Sequence, residues 1–193
     1  MSAMLIFDTS GPHGFIDDLE SSIYVLLWTA LMYSEDVSIS DLVMPFLKSV
    51  LDPKCYNRSG GTAKEDFLKA RSFLNRVKFP NRPALHKLIC DLADLFRYRY
   101  LPAPDKAQRE IANRLQLMSN DDSSLGDILK GHHCTLYDHA THQLRDHAAT
   151  IELFETALLN PEWPIEDTPV RQEFEPNPSA EPYCKTGWSM VAQ

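Results

Sequence analysis

The sequence predicts an all-α protein, and three observations carry that prediction. Apolar residues recur every three or four positions in six separate segments, prolines and glycines fall mostly between those segments, and no stretch alternates as a half-buried strand would. The hydrophobic content of 44% is enough to fill one core, and 193 residues suit one ordinary domain with a tail.

The first segment runs from about residue 16 to 34, without Gly or Pro. Its apolar positions 19, 23–28 and 30–32 cover every face of a helix, so it is predicted to be the buried central helix. Asp17, Asp18 and Glu20 stand at its N-terminal end, where carboxylates oppose the positive end of the helix dipole. Ser38-Ile39-Ser40-Asp41 opens a second helix, with Leu42, Val43, Phe46, Leu47, Val50 and Leu51 at helical spacing, ending at Asp52-Pro53. Thr62-Ala63-Lys64-Glu65 has the form of a capping box for a third helix that packs Phe67, Leu68, Phe73, Leu74 and Val77. Pro83 suits the first turn of a fourth, with a stripe of Leu85, Leu88, Ile89, Leu92, Leu95 and Phe96 reaching about Tyr100. Pro102 and Pro104 break it, and Asp105 to Met118 reads as a fifth helix before a polar loop. A last long helix is expected over Tyr137 to Leu159, stopped by Asn160-Pro161.

Residues 161–193 hold six of the 13 prolines and two basic residues, Arg171 and Lys185. Such a composition offers too little apolar surface to offset the entropy of ordering, so 1–160 is expected to form the domain and 161–193 a disordered acidic tail. The formal charge of -8 lies in the second half: residues 1–100 hold 12 basic and 12 acidic side chains, residues 101–193 hold 7 and 15. Without a basic stripe to displace counterions from phosphates, nucleic-acid binding is not expected. Cys55, Cys90, Cys134 and Cys184 form no Cys-x-x-Cys pair and suggest neither a disulfide framework nor a structural zinc site. Reduced thiols and an N-terminus without a basic region point to an intracellular protein, in cytoplasm or nucleus, and not to a secreted one. The longest apolar run, Ile23 to Tyr33, is about half of the ~20 residues a membrane span needs, so no membrane association is expected.

Three local patterns invite a sharper reading. On one continuous helix His139, His142 and Asp146 share a face, near His132, His133, Cys134 and His147, as metal ligands do. Their spacing matches no established zinc motif, and solvated or core-edge histidines are the expectation, with no metal. Gly60-Gly61 with Lys64 lacks the spacing and the strand of a phosphate-binding loop and reads as a turn before a helix. Phe96-Arg97-Tyr98-Arg99-Tyr100 has groups that stack on bases, but such alternation in a helix usually separates a core face from a solvated one.

Asp17-Asp18-Leu19-Glu20-Ser21-Ser22-Ile23-Tyr24-Val25-Leu26-Leu27-Trp28 resembles the central helix of protein kinases, whose common pattern is Asp-x-Trp-Ser-x-Gly before an apolar run. The variant Asp-Asp-Leu-Glu-Ser is shared by casein-kinase-1-like enzymes and the fungal-type protein kinase family, and Trp28 with His13 favours the fungal family. Met1-Ser2-Ala3-x-Leu5 is similar to the end of that family's activation segment. Gly60-Gly61-x-x-Lys64-x-x-Phe67-Leu68, Phe79-Pro80, Leu136-Tyr137 and Ala157-Leu158 are similar to its C-terminal region. The resemblance spans about residues 1–165 and implies the helical C-lobe of a kinase-like domain, with Asp17, Glu20, Ser21 and Trp28 as the central-helix signature.

The resemblance further implies that Asp18 anchors the backbone of the catalytic loop, holding it rigid for a positioning-driven phosphoryl transfer. Glu20 stands where most kinases carry Trp, and Ser2-Ala3-Met4 where many have Ala-Pro-Glu. A complete member would use ATP and magnesium to phosphorylate Ser/Thr hydroxyls. This sequence contains no Gly-x-Gly-x-x-Gly, Val-Ala-x-Lys, His-Arg-Asp or Asp-Phe-Gly, so no catalytic or cofactor-binding residue is expected in it. Two readings follow: a fragment of such a kinase, inactive alone, or a non-catalytic helical module that binds protein partners through apolar surface near Ile6, Phe7, Phe15 and the central helix.

Overall fold

The computed structural model describes residues 2–7, 12–34, 40–51, 60–119 and 123–164. These form ten helices and no strand, in agreement with the all-α prediction. In chain order they are α1 (Ala3–Phe7), α2 (Phe15–Tyr33), α3 (Ser40–Leu51), α4 (Gly60–Ala70), α5 (Ser72–Arg76), α6 (Pro83–Arg97), α7 (Lys106–Ser119), α8 (Ser123–Lys130), α9 (His133–Gln143) and α10 (Ala148–Leu158).

The core is built around α6 as much as α2. Pro83 supplies a pre-set first turn, and Ala84, Leu85, Leu88, Ile89, Leu92, Ala93, Leu95 and Phe96 are all buried, a broad apolar face that meets α2, α4, α9 and α10. The α2 helix contributes Ile23, Tyr24, Leu27, Ala30 and Leu31 from one side. Its opposite side is not covered: Asp18, Val25 and Thr29 are exposed, so the expectation of a helix buried all round is corrected. Apolar residues at every angle gave no way to tell which face the neighbours would take. Phe46 of α3 stacks on Phe73 at 3.5 Å between ring centroids and tilts against Phe67 at 5.4 Å, fastening α3 to α4 and α5.

Three boundaries differ from the sequence reading. The third helix starts at Gly60, so Thr62 is not its cap, and it breaks at Arg71, whose φ of 53° places a non-glycine residue in the left-handed region. Asp94 pairs with the Arg71 guanidinium and holds that residue in place. The short α8 was not anticipated from its sequence. The long last helix is two: α9 ends at Gln143, the chain turns through Leu144 to His147, and the Asp146 carboxylate accepts from the Ala148 N–H (2.8 Å) to start α10.

Asn160 and Pro161 end the helical part, and the described residues continue to 164. Trp163 turns back on α10, donates its indole N–H to the Ala157 carbonyl and packs against the core. Residues 165–193, most of the proposed tail, lie outside the described residues, as do Cys55 and Cys184. Cys90 and Cys134 are free thiols. Among the described residues no helix is long and apolar enough to cross a membrane.

Candidate functional site

The most elaborate polar arrangement lies at the start of α2, where two carboxylates one helical turn apart turn inward. Glu20 is fully buried, and both of its oxygens are saturated with donors. Oε1 accepts from the Ala3 backbone N–H (2.9 Å) and the Tyr24 hydroxyl (3.0 Å); Oε2 accepts from Arg99 Nη1 (2.8 Å) and the Tyr100 hydroxyl (2.5 Å). Asp17 accepts from the Ser2 hydroxyl (2.7 Å), the Gly14 N–H (2.9 Å) and Arg99 Nη2 (2.5 Å). One guanidinium from the end of α6 thus bridges both carboxylates, and the segment Ser2-Ala3 is tied onto α2 by a hydroxyl and a backbone amide.

A carboxylate can leave water only if donors replace its hydration, and here they do. Burial pushes the Asp17 carboxyl up, but the Gly14 amide, the Ser2 hydroxyl and Arg99 outweigh it and bring it down to about 2. Burial and the neighbouring Glu20 charge push the Tyr24 and Tyr100 hydroxyls well above the usual phenol range, so both remain donors. Lys64 lies 4.5 Å from the centre of the Tyr24 ring; burial draws its ammonium below the ordinary lysine range while the Glu20 charge opposes that. With Glu20's oxygens spoken for and both phenols held protonated, the cluster is a clamp and not a general acid or base.

Asp18, expected as the anchor, is placed elsewhere. Its side chain is 71% exposed and pairs with His13 at 3.1 Å, at the open N-terminal end of α2. Of the other signature residues, Ser21 donates to the Asp17 carbonyl (2.6 Å), and Trp28 is half-buried, edge-on to Tyr33. Arg99, Tyr100, Tyr24 and Ser2 belong to the cluster and were not singled out as its members from sequence. The signal present was the run Arg97-Tyr98-Arg99-Tyr100, whose last two residues both reach Glu20 of α2.

The histidine-rich stretch is not assembled into one face. The turn between α9 and α10 separates His139 and His142 from Asp146, and all three are exposed. His132 caps α9 by accepting from the Cys134 N–H (3.3 Å). His133 Nε2 lies 3.2 Å from the Pro102 carbonyl, which can only accept, so that nitrogen carries the proton. Among the described residues no group of three or more His, Cys, Asp or Glu side chains is arranged to hold a metal ion.

Comparison of the chain with family models, with curated proteins and with solved structures finds no match.

Proposed function

We propose that this chain is the C-terminal helical part of a fungal-type protein kinase, and that alone it does not transfer phosphate. The observation that supports this reading is the division of labour between Asp17 and Asp18. Asp17 is spent inside the fold, whereas Asp18 stands exposed at the N-terminal end of α2 with an imidazole beside it. That is the disposition expected of a scaffold carboxylate whose loop is supplied by another part of a kinase domain. The clamp on Ser2-Ala3 supports it too, since it holds the segment similar to the end of an activation loop against the same helix. In this reading ATP, magnesium and the acceptor hydroxyl are handled by residues that the sequence does not contain.

A thermal-shift titration with magnesium and ATP tests the inactive part of the reading. A ligand that binds only the folded state raises the melting temperature with concentration. No shift is expected, and a saturable rise overturns it. The family part is tested in the coding sequence upstream of Met1: His-Arg-Asp and Asp-Phe-Gly codons in frame are the expected finding.

One observation favours a second reading, a non-catalytic helical module that binds a protein partner. Met4, Phe15 and Val25 are 47%, 47% and 65% exposed on α1 and α2. In this second reading a docked partner would cover these side chains. Absence of the upstream motifs would favour this second reading.

A further inference from the structure

Beside the clamp, which lends it Arg99 as part of one wall, a cleft of about 380 Å³ opens between the start of α2, the end of α6 and α9. We propose that this cleft is a binding site for an aromatic carboxylate: a single ring held among Phe15, Tyr98 and Tyr137, with its acid group on Arg145. The proposal goes beyond the kinase reading and does not depend on it.

The size selects the class of ligand first. Small-molecule sites run from roughly 300 to 1,000 Å³, and this one is at the lower end, enough for one ring and a short acidic arm. The walls select the ring. Tyr98 and Tyr137 meet edge to face, 6.5 Å between centroids at 86°, and His133 packs against both rings from outside the cleft, at 6.1 and 6.0 Å, so the two tyrosines are held as a fixed aromatic wall for a guest ring. Phe15 is 47% exposed, and Ile16 and Leu144 complete an apolar lining. An aromatic guest would take Phe15 out of water.

Charge selects the acid. The clamp behind the cleft is neutral as a whole, with Asp17 and Glu20 against Arg99 and Lys64. Arg145 is different: its exposed guanidinium lines the cleft and has no carboxylate partner among the described residues. Asp146 beside it accepts from Ala148 and does not line the cleft. Among the lining residues the uncompensated charge is therefore positive and carried on a planar fork of donors, which fits a carboxylate.

The test is an NMR titration of the isotope-labelled full chain with hydrocinnamate and with its neutral counterpart, hydrocinnamyl alcohol. Saturable shifts are expected at the amides of Tyr98, Thr141, Leu144 and Arg145, with the alcohol binding at least about tenfold more weakly, as loss of a charged hydrogen bond implies. The tripeptide Gly-Gly-Phe, with a free or amidated C-terminus, identifies the source of the acid. Binding of the free form only, alongside hydrocinnamate, means that a peptide end is accepted; failure of both forms while hydrocinnamate binds restricts the site to small acids. Arg145→Gln is expected to weaken hydrocinnamate about tenfold and Thr141→Trp to abolish binding by filling the cleft, both with unchanged melting curves because both positions are exposed. Equal binding of acid and alcohol, shifts away from the cleft, or no saturation up to millimolar hydrocinnamate overturns the proposal. The acid and alcohol pair, measured on the unmodified chain, decides even if a variant fails to fold.

Discussion

Arg99 and Glu20 are 79 residues apart in the chain and 2.8 Å apart in the fold. Glu20 is fully buried, so removing its cation leaves a charge that water cannot reach. Arg99→Met is expected to cost roughly 3–5 kcal/mol, the range for breaking a buried pair from one side. Urea denaturation of the variant and the parent measures it. A loss below about 1 kcal/mol, the range of surface pairs, would mean that the two groups are solvated after all.

Asp17 makes part of the stability depend on acid. Its folded value of about 2 lies below the ordinary 3.8, so its contribution is complete above 3.8 and fades as pH falls through the folded value. The difference of nearly two units corresponds to about 2.5 kcal/mol. Between pH 6 and pH 2 the parent should lose about 2 kcal/mol more stability than Asp17→Asn, in which the titrating group is absent, because at pH 2 the carboxyl is about half protonated. Denaturant midpoints at the two pH values give the comparison, and parallel losses would refute the assignment.

The neighbouring carboxylate should behave oppositely. Asp18 is exposed and its imidazole partner His13 is 55% exposed, so Asp18→Ala is expected to stay within about 0.5 kcal/mol of the parent. Asp17→Ala in the same assay should be the damaging one. If the order is reversed, the anchoring role lies with Asp18 inside this chain and the placement of the two residues described above is wrong.

Asp146 is the remaining candidate ligand with a measurable structural job. Its carboxylate accepts the Ala148 amide at the start of α10, so Asp146→Ala should cost about 1 kcal/mol, while His139→Ala and His142→Ala should be near neutral. A zinc-dependent rise in melting temperature that is lost in all three variants would instead assign them to a metal.

The helices were legible because their signals are local. Pro83 marks the start of α6 and the Leu85-to-Phe96 stripe its buried face, since pre-set φ and an apolar face both act within one segment; the helix ends at Arg97, short of the expected Tyr100. What could not be read depends on residues distant in the chain. The break at Arg71 is held by Asp94, 23 positions on, and the one between α9 and α10 hides in a stretch, Leu144 to His147, without Gly or Pro. In the site, the position of the acidic residues on α2 was legible and their roles were not. Asp17 and Asp18 are adjacent and chemically alike, and the partners that distinguish the buried one, Ser2 and Arg99, come from elsewhere in the chain.

The bond from Ala3 to Glu20 has a bearing on which sequences can occupy this fold. Its donor is a main-chain amide, so position 3 may vary in side chain as far as its full burial allows, but a proline there would silence the donor. Position 3 is the first residue of α1, where proline fits the backbone, but the site is fully buried, so Ala3→Pro removes the bond and also forces a larger ring into the core. Under the kinase reading, positions 3 and 20 are those that carry Pro and Trp in the common pattern, a residue without an amide hydrogen opposite one without a carboxylate. Ala with Glu is then a second self-consistent solution, and the two positions are expected to change hands together: a mixed pair either buries an acid with one donor too few or presents an amide to an indole that cannot accept it.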